Sequence, residues 1–297
     1  MLRIVERPAR ELLVPCSGAR DVLVSWNATS PHGALELEVT CSDGERSGWL
    51  PYAEWSASER RSLNGGAACS WIEYDAVRAP RGAAYVVIRS SVDLDALAVA
   101  TPPHAAQTTG REAKPVAQHR ASVLDVPLRS QYLATHPGER GWCSPTALAM
   151  VLAFHGYELD IPTVAAGVFD SGYGGAGNWA FNVAFAGRLG LRAADAYLTD
   201  LRHASAFVEA SLPLVLSITW RAGSLPGAPL EHSAGHLVVL RGFDANGDVL
   251  VNDPAQPGVA ACYPRDAFEA AWLGHGGVAY LVAPAARSAE LERLAQP

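Results

Sequence analysis

Cys143 sits in the run Gly141-Trp142-Cys143-Ser144-Pro145-Thr146-Ala147-Leu148-Ala149-Met150, where apolar residues begin to repeat at helical spacing. Leu148, Val151, Leu152 and Phe154 continue that period, Pro145 suits a first turn, and Gly156 stops the run. A helix is therefore predicted over residues 145–155 with the cysteine at its N-terminal end. The unpaired amides and the dipole there favour a thiolate, which lowers the thiol pKa and makes the sulfur nucleophilic at neutral pH. Alone, a cysteine carries little weight, because cysteines are among the most buried residues and most are inert.

Three other residues supply what a nucleophilic sulfur needs. Gln131 lies 12 residues upstream; its side-chain amide can join the Cys143 backbone amide in stabilising an oxyanion, a contribution of roughly 3–4 kcal/mol per donor. His236 opens the apolar run Gly235-His236-Leu237-Val238-Val239-Leu240, 93 residues beyond Cys143, and Asp253 follows 17 residues later. An imidazole can take the thiol proton and return it to the leaving group, while an aspartate fixes its tautomer. Register decides whether the two meet. A two-residue Asn246-Gly247 turn leaves Asp253 four residues out of step, whereas a four-residue loop from Asp244 to Gly247 sets His236 opposite Ala255 and makes Asp253 its diagonal neighbour. The longer loop, or a compensating bulge, is expected.

Organisation changes near residue 101. Before it, short runs rich in β-branched and aromatic residues (21–26, 35–41, 69–74 and 84–90) are separated by turn formers, and Leu35-Glu36-Leu37-Glu38-Val39 alternates strictly. Residues 1–100 therefore read as an all-β sandwich or jelly roll. Residues 101–122 are polar, proline-containing and without periodicity, as a linker would be. Beyond them come a second helix over 178–188, strands over 214–220, 237–243 and 249–252, and a short helix over 266–272, with a tail over 286–297. Helices first and strands later predict an α+β domain with an antiparallel sheet over 123–285.

Gln131, Trp142-Cys143-Ser144-Pro145-Thr146, the run from Gly235 to Phe243, and Val251-Asn252-Asp253-Pro254 resemble cysteine-peptidase family thirty-nine, the papain-like group that includes bacteriocin leader-processing peptidases. The resemblance spans about residues 123–284. It implies a papain-like domain that cleaves peptide or protein substrates, with Cys143 as nucleophile, His236 as base, Asp253 as orienting acid and Gln131 as oxyanion donor. Ser144 stands where the leader peptidases commonly carry glycine, and no membrane-spanning or ATP-binding segment follows, so the likeness is to free-standing members. The same four residues could also run amide transfer or deamidation, since amines resolve an acyl-enzyme as water does. A non-catalytic protein acting through the N-terminal sandwich is the reading from another class.

Gly172-Tyr173-Gly174-Gly175-Ala176-Gly177 fits the dinucleotide pattern G-x-G-x-x-G but lacks a preceding strand, since 161–169 reads as helix or loop. Gly174, Gly175, Asn178 and Trp179, with Trp142, are instead expected to wall a substrate cleft. His232 and His236 are four apart, yet the residues between them make a poor helix and supply no glutamate, so neither zinc nor any other cofactor is expected. His155, His203 and His275 read as structural or exposed, and Trp220 and Trp272 as core.

Composition agrees with a globular protein of about two domains: 297 residues, 49% hydrophobic and 18% charged. A net charge of −7 with dispersed basic residues argues against nucleic acid and anionic membranes as partners. No stretch is apolar enough for a span. The N-terminus is charged where an export signal would be apolar, so cytoplasm is the expected compartment. Five cysteines leave at least one thiol free; Cys41 and Cys69 could pair in an oxidising compartment, but buried free thiols are expected.

Overall fold

The computed structural model describes residues 1–103, 123–133 and 141–297. The expected linker lies outside the described residues from position 104 onward.

The first hundred residues are all β, as expected. Nine strands, β1 (Leu2–Glu6), β2 (Glu11–Asn27), β3 (Gly33–Cys41), β4 (Arg46–Trp55), β5 (Arg60–Ser62), β6 (Gly65–Ala67), β7 (Ser70–Glu73), β8 (Ala76–Ser90) and β9 (Ala96–Ala100), join one antiparallel hydrogen-bonded sheet. Its main path runs β1-β9-β2-β8-β3-β4-β5, with β6 and β7 branching from β8. The alternation in β3 buries Leu35, Leu37 and Val39 and leaves Glu36 partly exposed, but Glu38 departs from it, being buried and paired with Arg46.

The second region is mixed α and β. Its helices are α1 (Cys143–Phe154), α2 (Ile161–Val168), α3 (Trp179–Arg188), α4 (Leu201–Glu209), α5 (Arg265–Leu273) and α6 (Ser288–Leu294). Its strands are β10 (Leu191–Tyr197), β11 (Leu214–Trp220), β12 (Ser233–Phe243), β13 (Val249–Asn252), β14 (Ala260–Tyr263) and β15 (Val278–Pro284). They form a six-stranded antiparallel sheet ordered β10-β15-β11-β12-β13-β14. Helix α1 is apolar on every side and buried from Cys143 to Ala153, between β12 on one side and α2 on the other. No helix among the described residues is long and apolar enough to cross a membrane.

The two regions share a core. Leu2, Ile4, Leu23 and Ala98 of the first pack in one apolar cluster with Ala194, Val215 and Leu281 of the second. Polar contacts then lock the alignment: Asn27 Nδ2 donates to the Ala193 carbonyl at 2.9 Å, its Oδ1 accepts from the Ala193 amide at 3.1 Å, and Arg192 reaches the same oxygen. Gly187 is required beneath this joint, because a Cβ there would stand 2.6 Å from the Asn27 Cβ. Residues 286–297, expected as a tail, instead carry α6, which packs on β1, and Gln296 donates to the Leu2 carbonyl at 2.6 Å.

Cys41 and Cys69 correct a second expectation. They form a disulfide across 28 positions, with Cα atoms 6.4 Å apart, and are not free thiols. Cys41 ends β3 and Cys69 lies in the turn between β6 and β7, so only the closed sheet brings them within bonding reach. Reducing this bond, or replacing both residues with serine, is expected to lower unfolding free energy by about 3–4 kcal/mol through the entropy of the unlinked chain. Urea melts with and without reductant check this, and coincident midpoints would show that the bond does not stabilise the fold.

Candidate active site

Gly141, at φ 85°, takes a backbone conformation that side-chain-bearing residues avoid, and the chain turns there into α1. Trp142 is the N-cap residue, its side chain making no capping hydrogen bond to the helix, and Cys143 is the first helical residue. The sulfur therefore sits against orphan amides. Burial pushes the Cys143 thiol up, but the hydrogen bond and charge of His236, with the amides of Leu237 and Ser144, overcome that and hold it below its ordinary value.

His236 reaches this position along β12. Burial pushes its imidazole down, yet bonds to Asp253 and Cys143 and their charges raise it above the ordinary range. Nε2 lies 2.7 Å from Asp253 Oδ1, which leaves Nδ1 for the sulfur. The edge of the His236 ring meets Trp220, with centroids 5.7 Å apart at 76°, so this core tryptophan also screens the imidazole from water.

The register that joins His236 to Asp253 is reached by the second of the two expected routes. Phe243 pairs with Val249, so the connecting loop is one residue longer than four, and a bulge between Leu240 and Gly242 takes that residue back. Val239 then pairs with Asn252. Continued toward the site, that register sets His236 against Ala255.

Asp253 is fully buried. Oδ1 also accepts from the Ala255 amide at 2.9 Å, and Oδ2 accepts from the Tyr263 hydroxyl at 2.7 Å. Burial pushes its carboxyl up, but His236, Tyr263 and Ala255 together hold it below the usual carboxylate range. Tyr263 was not legible as a site residue, since nothing in its local sequence says that the β13–β14 hairpin returns it to Asp253.

Gln131 is buried, with its amide bonded to the Pro254 carbonyl at 3.0 Å, one residue past Asp253. Its side-chain Oε1 has no partner among the described residues. Ser144 turns away from the sulfur and its hydroxyl pairs with that of Tyr280 at 2.9 Å.

Cys143 opens onto a cleft of about 650 Å³. Trp142, Gly174, Gly175 and Trp179 are among the residues that line it. Asn178 is not: it is buried, its Oδ1 caps α3 at the Phe181 amide and its Nδ2 donates to Asp170 at 2.9 Å, so its polar atoms are spent on the backbone turn. Asp170 organises the whole glycine loop by also accepting from the amides of Gly172 and Ser62, at 2.9 and 2.8 Å. Ser62 belongs to β5, so the first region holds the cleft wall. The strand that a dinucleotide site needs before the loop is replaced by α2.

The cleft also contains residues that spacing could not reveal. Tyr74 and Asp75 come from the first region, and His275, expected as structural or exposed, lines the cleft with Nδ1 2.8 Å from the Ser217 hydroxyl. The candidate metal ligands Asp244, Asp248 and Cys262 cluster at the far turn of the β12–β13 hairpin, away from the cleft-lining residues.

Solved structures that resemble the chain include two peptidases. A structure described as a C39-like peptidase from Bacillus anthracis is 20% identical, covering 55% of this chain and 96% of its own, with a TM-score of 0.42. A double glycine motif protease from an AMS/PCAT transporter, in complex with the leader peptide, is 21% identical, covering 56% and 96%, with a TM-score of 0.37. No curated protein matches the chain. Residues 123–280, more than half of the sequence and including Cys143, His236 and Asp253, match the family described as Peptidase_C39 like family, and the chain belongs to that family of cysteine peptidases.

Proposed function

We propose that Cys143, His236 and Asp253 are the catalytic residues of this peptidase and that Gln131 is its oxyanion donor. The observation that carries the reading is the chain of contacts from the sulfur at the α1 N-terminus through His236 to the buried, triply bonded carboxylate of Asp253. In the resting pair, the thiolate is matched by an imidazolium, and the imidazolium by the carboxylate.

Attack by the Cys143 sulfur on a peptide carbonyl forms the carbon–sulfur bond and moves the carbonyl π electrons onto oxygen. The Cys143 amide and the Gln131 side-chain amide donate to that oxyanion. As the oxyanion collapses, the carbon–nitrogen bond breaks and His236 gives its proton from Nδ1 to the leaving amine, leaving a thioester. His236, now neutral, takes a proton from water, whose oxygen attacks the thioester. The carboxylic acid product departs and the thiolate–imidazolium pair returns. Asp253 keeps Nε2 protonated throughout, so that Nδ1 is the nitrogen that exchanges protons.

Cys143→Ala should abolish turnover and leave the fold intact. His236→Ala should cost about 10²–10⁴-fold in kcat, and Asp253→Ala less, because it acts through the imidazole. Steady-state kinetics on the three variants check this, and retained activity without the sulfur would defeat the assignment.

The pKa directions set a pH window. As pH falls, the thiolate is protonated only below the ordinary thiol value of about 8.5; as pH rises, the imidazolium survives past the ordinary histidine value of about 6.5. Alkylation of Cys143 by iodoacetamide should therefore titrate with a midpoint below that of a free thiol, and His236→Ala should move the midpoint upward. A midpoint identical in both proteins would rule out the ion pair.

Tyr263→Phe removes one donor from a buried charge, so it should lower stability by about 1.5–3 kcal/mol while the His236–Asp253 bond persists. Thermal melts read the loss, and an unchanged melting temperature would show that the phenol is not holding the carboxylate.

A further inference from the structure

The cleft beside Cys143 has an unusual chemical bias. Its walls carry the rings of Tyr74, Trp142, Phe169, Tyr173 and Trp179, its lone carboxylate among the lining residues is Asp75, and none of those residues is lysine or arginine. His275 adds no positive charge at neutral pH, since burial lowers its imidazole below the ordinary value. Aromatic faces around one carboxylate attract a cation from both sides: the ring quadrupoles hold its face and the carboxylate its charge.

Asp75 is half-buried in the cleft wall, and burial raises its carboxyl to about 6, which leaves it ionised at neutral pH. Its Oδ2 accepts from the Trp179 amide at 3.0 Å, which fixes the carboxylate at the start of α3, and Oδ1 accepts no hydrogen bond from another described residue. The charge of Arg78, three positions on, favours the ionised Asp75, but its guanidinium forms its ion pairs with Asp21 at 2.7 Å and Glu73 at 3.0 Å. Tyr74 and Tyr173 meet edge to face, with centroids 5.1 Å apart, so the first region and the glycine loop close over the same space. Tyr173 also feels the charges of both Asp75 and Cys143, after burial, in the raising of its phenol, which puts the reacting sulfur and this carboxylate within one electrostatic neighbourhood.

We propose that the cleft selects a positively charged side chain of the peptide substrate next to the scissile bond, held by Asp75 and the surrounding aromatic rings. The inference rests on the reading of Cys143 as nucleophile. It gives the N-terminal region a function, since Tyr74 and Asp75 would make it part of the specificity site.

The test compares end-capped peptides that differ at one position, Lys, Leu or Glu, scanned on both sides of the cleaved bond. The native enzyme should favour Lys over Leu at one position, and Asp75→Asn should lower the kcat/KM ratio of the Lys to the Leu peptide about 10- to 100-fold. Asparagine keeps an acceptor for the Trp179 amide, so a purely structural role would leave that ratio unchanged and overturn the proposal. Equal use of all three peptides by the native enzyme would overturn it too. Without any variant, the Lys preference should shrink as salt rises from low to molar concentration, and a salt-independent ratio counts against Asp75. Calorimetric binding of the Lys and Leu peptides to the Cys143→Ala protein reads the same preference with no turnover: tighter Lys binding without cleavage by the native enzyme would defeat the nucleophile assignment and keep this one, while equal binding would defeat this one alone.

Discussion

His236 and Asp253 can touch only if β12 and β13 keep one register at their cleft end, and much of the second region serves that requirement. Side chains alternate along a strand, so a slip of one residue would turn His236 away from both the aspartate and the sulfur. The loop at the other end of the hairpin, where Asp244 accepts from the Asn246 and Asp248 amides at 2.8 Å, is a residue too long for the pairing that the site needs. The bulge between Leu240 and Gly242 absorbs the excess before it reaches the site. On its other side β12 is pinned by β11, where Ile218 pairs with His236, and α1 packs across it to bring Cys143 into place. Register, bulge and helix packing are thus one constraint seen at three distances from the imidazole.

The first region is tied to that constraint and is more than an appendage. Asn27 knits β2 to β10, β10 pairs with β15, and β15 pairs with β11, so the hydrogen-bonded framework runs from the N-terminal sheet to the strand beside His236. A second route runs through Arg60 and Ser62, whose backbone bonds hold Ser171 and Asp170 at the base of the glycine loop. Gly172 must be glycine for that approach, since a Cβ there would stand 2.2 Å from the Ser62 carbonyl oxygen. Both walls of the cleft therefore depend on contacts that cross between regions distant in sequence.

What was legible in the sequence follows from range. The helix at Cys143, the all-β first region and the need for a particular hairpin register are written in local period and turn chemistry. Asn178 was legible as the start of a helix, since the Phe181 amide it caps is three residues on, but not its bond to Asp170 eight positions back, which withdraws it from the cleft. Tyr263, Asp75 and Tyr74 carried no local signal, and their places depend on a hairpin return and on the docking of two sheets. The Cys41–Cys69 bond was misread for the same reason: spacing of 28 residues says nothing about distance until the sheet closes.

Two buried aspartates show how the fold decides which charges survive. Asp253 and Asp195 are both excluded from water. Asp253 meets an imidazolium, a phenol and an amide, and is held ionised. Asp195, in the middle of β10, has neither carboxylate oxygen bonded to a described residue, and burial pushes its carboxyl well above the usual range. Desolvation alone would neutralise both, and only where donors are supplied does it fail to do so. A negative charge therefore persists beside His236 and is suppressed at the joint between the sheets, where it would oppose their docking. The charge that orients the imidazole is maintained by Tyr263 and the Ala255 amide as much as by the aspartate itself.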